Sequence, residues 1–115
     1  MKIEFLERGG YKISQRLERI VKEKLERLSK YFDDEANAKV VCKKEAKQEK
    51  LEITITSKGV LYRSEVTSDN MYDNIDYALP KLEKQIVRDN EKRKEKKAKG
   101  SKQENFLPFE FIEEE

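Results

Sequence analysis

Asn70-Met71-Tyr72-Asp73-Asn74-Ile75-Asp76-Tyr77-Ala78-Leu79-Pro80-Lys81-Leu82-Glu83-Lys84-Gln85-Ile86-Val87-Arg88 sorts its side chains by the period of a helix. At 3.6 residues per turn, Met71, Ile75, Ala78, Leu79, Leu82 and Ile86 share one apolar stripe. Tyr77, Lys81, Lys84, Arg88 and Lys92 form a second stripe beside it, and Asp76 and Glu83 fall on the opposite flank. The apolar stripe must dock on something. The basic stripe is one-sided, which solubility alone does not require. Asp69 or Asn70 can cap the helix; with Asn70 as N-cap, Asp73 stands third, where its charge favours the positive helix end. Pro80 removes a backbone bond and crowds the carbonyl four residues back. It points away from the apolar stripe, so a kink is expected rather than a break. The stripe ends at Ile86, because Asp89 and Arg93 take its next positions.

A docking helix needs a partner layer, and the residues before it supply one. Leu51, Ile53 and Ile55 alternate with Glu52, Thr54 and Thr56, the clearest period of two in the chain. Lys58-Gly59 is a short turn, so Val60 to Thr67 reads as a hairpin partner, with Val60, Tyr62 and Val66 on one side. Ala38, Val40 and Cys42 alternate in a preceding strand, and Lys44–Lys50 reads as an exposed polar link. Lys2 to Arg8 is an opening strand with Ile3 and Phe5 on one face, ended by Gly9-Gly10. Ser14 can cap a helix running to about Phe32, with Leu17, Ile20, Val21, Leu25, Leu28, Tyr31 and Phe32 in its apolar arc; Asp33-Asp34 then makes a turn. The order is β-α-β-β-β-α. It predicts an α+β two-layer sandwich with two helices on one face of a four-stranded sheet.

At 115 residues, 36% hydrophobic and 43% charged, the chain has room for one domain with a thin core, expected over 1–95. A charged, flexible tail is expected over 96–115. No run approaches a membrane span and no apolar leader opens the chain, so a cytoplasmic setting is expected. The single cysteine, Cys42, excludes an internal disulfide and a cysteine-rich zinc site; its alternation suits a buried strand residue. Histidine is absent, which removes histidine triads and imidazole metal ligands, and no glycine-rich phosphate loop is present. The expectation is a protein that is not an enzyme, with no cofactor, no metal and no small-molecule substrate.

The net charge of +2 hides an asymmetry. Residues 103–115 hold five acids and no base, which leaves +7 on residues 1–102. Within 81–102 stand ten Lys or Arg against four Asp or Glu. A polyanionic partner fits this distribution, and so does a solvated helix end. Arg16, Arg19, Arg27 and Lys30 share a flank of the first helix. Lys24 points into its apolar arc, either snorkelling at the sheet edge or holding its ammonium between the helices. Base stacking needs exposed strand aromatics, and Tyr62 is read as core, so contact with phosphates and selection by shape are favoured. Phe106-Leu107-Pro108-Phe109-Glu110-Phe111 is too short for a core of its own; it can dock on a partner or this domain, or belong to a longer chain.

The stretch Asp69-Asn70-Met71-Tyr72-Asp73-Asn74-Ile75-Asp76, then Lys81-Leu82-Glu83-Lys84-Gln85-Ile86, resembles a family pattern of Asp-Met-Tyr-x-x-Ile-Asp followed by Lys-Leu-Glu-Arg-Gln-Leu. With Arg8-Gly9 and the run Lys24-Leu25-Glu26-Arg27-Leu28-Ser29-Lys30-Tyr31-Phe32, the chain resembles the ribosome hibernation promoting factors, also called ribosome-associated inhibitor or protein Y, over residues 1–95. The resemblance implies a fold like a double-stranded-RNA-binding domain. It also implies binding to the small ribosomal subunit and its rRNA, in the path of mRNA and tRNA, with inhibition of translation under stress. The rRNA-binding positions it implies are Lys22, Lys24, Lys30, Arg63, Lys81, Lys84, Arg88 and Lys92. Asp73, Asn74 and Pro80 depart from the family pattern. Long members carry a linker and a C-terminal domain that pairs ribosomes. That domain is not in this sequence, so ribosome binding without pairing is expected, from a piece of a long form or a short one. The alternatives are a generic duplex-RNA module and an adaptor working through the acidic tail.

Overall fold

The alternation around Ile53 builds a strand whose apolar side chains, Leu51, Ile53 and Ile55, are completely buried. The computed structural model describes the backbone of residues 1–32 and 35–99 and the side chains through Lys92. The elements are β1 (Lys2–Arg8), α1 (Gln15–Leu28), a 3-10 turn (Ser29–Tyr31), β2 (Asn37–Glu45), β3 (Gln48–Ser57), β4 (Val60–Ser68) and α2 (Met71–Lys99). The sheet order is β1-β2-β3-β4. β1 runs parallel to β2, with Phe5 opposite Val40, and the later pairs are antiparallel, with Val40 opposite Ile53 and Ile55 opposite Tyr62. A parallel pair needs a long crossover, and α1 provides it. Leu17, Val21, Leu25 and Leu28 of α1 share one core with the α2 stripe and with Ala38, Val40 and Cys42. The expected two-layer β-α-β-β-β-α sandwich is the fold observed.

Local chemistry explains the joints. The Ser14 hydroxyl accepts from the Leu17 N–H at 3.0 Å and caps α1 as expected. The helix ends at Leu28, short of Phe32, and its last turn tightens into the 3-10 segment. At Gly9 (φ +61°), a Cβ would sit 2.3 Å from the Lys44 carbonyl oxygen, so only glycine lets β1 turn away this close to β2. Lys58 and Gly59 both have positive φ, the backbone of a tight hairpin. The expected long link between β2 and β3 is a correction: Glu45 pairs with Gln48, and only Ala46 and Lys47 remain in the turn. Polar residues here extend the hairpin between the two inner strands instead of looping, a case that alternation of apolar residues does not register.

The expected Asp33-Asp34 turn lies outside the described residues, as does the tail from residue 100 with its Phe106–Phe111 cluster. The backbone of 96–99, expected to belong to that tail, continues α2.

Candidate nucleic-acid interface

α2 is held at its start by polar groups. Asn70 Oδ1 accepts from the Tyr72 N–H and Glu49 Oε1 from the Met71 N–H, both at 2.8 Å. These satisfy two of the helix's orphan donors. Asn74 is fully buried; its amide nitrogen donates to the Glu49 carbonyl at 2.9 Å, and its oxygen accepts from the Ser68 hydroxyl at 2.7 Å. Met71, Ile75, Ala78, Leu79, Leu82 and Ile86 are all buried, as the stripe predicts.

The docking does not end at Ile86. The buried Tyr62 ring passes its hydroxyl to Asp89, donating at 2.5 Å. Gln85 adds a second tie at the free edge of β4. Its Oε1 accepts from the Arg63 N–H at 3.2 Å, and its Nε2 donates to the Arg63 carbonyl at 2.8 Å. The amide thus takes the place of a neighbouring strand along an edge that would otherwise invite one. On the other flank, the Tyr31 hydroxyl donates to Glu83 at 2.7 Å and joins the two helices. That bond holds the Tyr31 phenol above its ordinary pKa, because Glu83 favours the protonated form.

These ties fix the direction in which the basic stripe points. Lys81, Lys84, Arg88 and Lys92 are all exposed on α2, and Tyr77 joins them at 61% exposure. Pro80, Lys81, Glu83, Lys84, Val87 and Arg88 line one open concavity. Glu83 therefore borders the basic surface instead of lying opposite it, although its carboxylate is turned to Tyr31. Three cations within two turns make a surface suited to a phosphate backbone.

The other four predicted positions are dispersed. Lys24 is half-buried on the α1 flank that carries Ile20 and Tyr31 toward α2. Lys30 places its ammonium 5.3 Å from the Tyr31 ring centre, at the same junction. Arg16 lies over Tyr72 at 5.5 Å, a further link between the helices. Lys22 pairs with Glu18 at 3.4 Å on the flank turned from α2. The Arg63 side chain stands on the opposite sheet face, 3.5 Å from Glu52 and 3.4 Å from Glu65. Lys50 completes that network 2.8 Å from Glu65. The structure thus brings together the four α2 cations, sets Lys24 and Lys30 across the helix junction, and leaves Lys22 and Arg63 apart. Helical arithmetic identifies the stripe. It carries no signal for Asn74, Gln85 or Asp89, whose partners Glu49, Arg63 and Tyr62 are 22 or more residues away.

Cys42 is fully buried, and desolvation pushes its thiol up to about 12, the state of an inert core residue. Among the described residues, no group of three His, Cys, Asp or Glu side chains is arranged to hold a metal ion. No helix among them is long and apolar enough to cross a membrane.

The family described as sigma 54 modulation protein / S30EA ribosomal protein matches residues 8–94. The ribosome hibernation promotion factor of Lactococcus lactis subsp. cremoris is 35% identical over 113 residues, covering 92% of this chain and 56% of the relative. The ribosome hibernation promotion factor of Bacillus subtilis is 39% identical over 69 residues, covering 57% of this chain and 36% of the relative. The chain spans about half or less of these curated relatives. The crystal structure of the Thermus thermophilus Protein Y N-terminal domain superposes with a TM-score of 0.69 at 35% identity, covering 76% of this chain and 98% of that one. A ribosomal subunit interface protein from Coxiella burnetii shares the fold, with a TM-score of 0.67 at 22% identity over 78% of this chain and 98% of that one.

Proposed function

Because the chain belongs to the sigma 54 modulation protein / S30EA ribosomal protein family, we propose that it binds the small ribosomal subunit in the mRNA and tRNA channel and silences translation during hibernation. The observation that carries this reading is the exposed row Lys81, Lys84, Arg88 and Lys92, held outward by a helix whose opposite side is locked to the sheet. Rigid presentation matters because a surface fixed before binding loses little side-chain and backbone freedom on contact. Each cation that reaches a phosphate releases a condensed counterion, so the row supplies affinity without reading base edges. Selection then comes from the shape of the rRNA cleft. Lys24 and Lys30 extend the contact across the helix junction. Lys22 and Arg63 contribute at most at its margins, being paired with Glu18 and with Glu52 and Glu65. The binding unit is residues 1–95, close to the 8–94 of the family match.

Co-sedimentation with small subunits tests the proposal. Binding should weaken steeply as salt rises, and added mRNA or tRNA should compete. Replacing Lys81, Lys84 and Arg88 together by Glu should abolish sedimentation while the circular dichroism spectrum and melting midpoint stay close to the parent's. For a milder triple replacement by Gln, the slope of log K against log salt should fall by about two to three. Full binding by the Glu variant would remove the α2 stripe from the site.

A further inference from the structure

β1 is an outer strand of the sheet, and its free edge is open where that of β4 is tied by Gln85. The Lys2 N–H donates to the Ala36 carbonyl at 3.0 Å, so Lys2, Glu4, Leu6 and Arg8 turn their main-chain groups toward β2. Ile3, Phe5 and Glu7 turn theirs outward, since the direction alternates along a strand. Among the described residues, none bonds these outward groups. Ile3 and Phe5 point to the core, which leaves Glu4, Leu6 and Arg8 on the open sheet face, with Glu4 and Arg8 exposed and Leu6 half-buried. That order is its own complement when the strand meets itself running the other way. We infer that β1 pairs antiparallel with β1 of a second copy of this chain, about a two-fold axis through Leu6, joining the two sheets into one. The pairing does not depend on the ribosomal role proposed above.

Direction and charge select the register. The outward groups of both copies are those of Ile3, Phe5 and Glu7, so hydrogen bonding requires the axis to pass through a residue and not between two. An axis through Glu4 sets that carboxylate against itself, and one through Glu7 does the same there. An axis through Phe5 puts Lys2 opposite Arg8. An axis through Ile3 opposes Lys2 and Glu4, but it leaves Leu6 and the outward groups of Glu7 unpaired. The axis through Leu6 sets Glu4 opposite Arg8 of the second copy, repeats that contact by symmetry, and puts Leu6 against Leu6 between them. These are the non-hydrogen-bonded positions, where side chains stand closer. Phe5 and Glu7 of the second copy then exchange both main-chain bonds, and Phe5, half-buried at the rim of the core, gains cover. Charges on an edge ordinarily repel a second strand; here their order fits a copy of the same strand. α2 packs on β3 and β4, so its basic row stays clear of the joined edge.

Sedimentation velocity of the full chain at low salt, up to about 1 mM, tests the pairing, since so short an interface is weak. A dimer that grows with concentration is expected. Arg8→Glu and Glu4→Arg each set like charges together at both symmetric contacts, and each should weaken the dimer about tenfold or more. The double variant Glu4→Arg/Arg8→Glu should recover the parent's association. An equal mixture of the two single variants should dimerise where each alone does not. Both positions are exposed, so every variant should melt close to the parent. In the parent, amide exchange of Phe5 and Glu7 should slow as the dimer forms, while that of Leu6, already bonded to β2, stays constant. A chain that remains monomeric at about 1 mM would overturn the pairing and leave the edge to an extended segment of another protein. Single variants that dimerise like the parent, or a double variant as weak as the singles, would overturn it too. Sedimentation with small subunits reads the ribosomal proposal separately.

Discussion

Asn74 shows how much one residue can carry that a helical wheel assigns to nothing. It interrupts no apolar position and stands as a departure from a family pattern. In the structure it is fully buried and ties the first turn of α2 to the Glu49 carbonyl of β3 and the Ser68 hydroxyl of β4. Truncation removes both bonds and leaves the part-buried Glu49 carbonyl without this donor, which costs about 1–3 kcal/mol. Asn74→Ala should therefore lower the urea midpoint with no change in the dependence on denaturant. Cys42 is the opposite case. Its place in a strict alternation predicts burial, and the structure buries it completely with its thiol raised to about 12. Its environment follows from local pattern, whereas that of Asn74 requires two strands to arrive beside a helix.

At the scale of the element, α2 is the helix that its stripes describe, and it runs unbroken through Pro80. Pro80 is exposed and on the side away from the sheet, so its ring meets no packed layer. The missing N–H leaves the Asp76 carbonyl without its intrahelical donor. Pro80→Ala should restore that bond and raise stability by about 1–3 kcal/mol, read as a higher melting midpoint. What the stripes do not contain is the helix's rotation about its axis under load. Gln85 on the β4 edge, Asp89 on Tyr62 and Glu83 on Tyr31 set it from three sides. The sequence places Asp89 as the end of the docking stripe; the tertiary fold makes it the anchor beyond that end.

For the molecule as a whole, the two faces of the sheet carry different chemistry. One is covered by both helices, and the other is open and bears the Lys50, Glu52, Arg63 and Glu65 ion pairs. Those pairs are partly exposed and salt-screened, so they contribute little to stability. The alkaline limit is set elsewhere. Burial, with Glu49 adding to it, raises the Tyr11 phenol to about 12. Its folded pKa lies above its unfolded value of 10.0, so the fold favours the neutral phenol. That contribution is complete below pH 10 and is lost as pH rises toward 12. Tyr31 and Lys50 are raised as well and lose their contributions in the same direction. Unfolding free energy should accordingly fall above pH 10, and a tyrosinate titration followed by ultraviolet absorbance should show late-ionising phenols. A flat stability curve from pH 9 to 12 would contradict these assignments.

Local pattern in the sequence alone determined the element order, the core-facing side of each strand and helix, the Ser14 cap and the basic edge of α2. Each of these depends on residues within a few positions of one another, so local geometry suffices. The tertiary structure decided the parallel pairing of β1 with β2, the two-residue turn at Ala46-Lys47 and the burial of Asn74. It also decided where the other predicted cations stand, pairing Lys22 with Glu18 and turning Arg63 to the opposite sheet face. Those outcomes depend on where distant segments meet, and a one-dimensional pattern contains no distance between them.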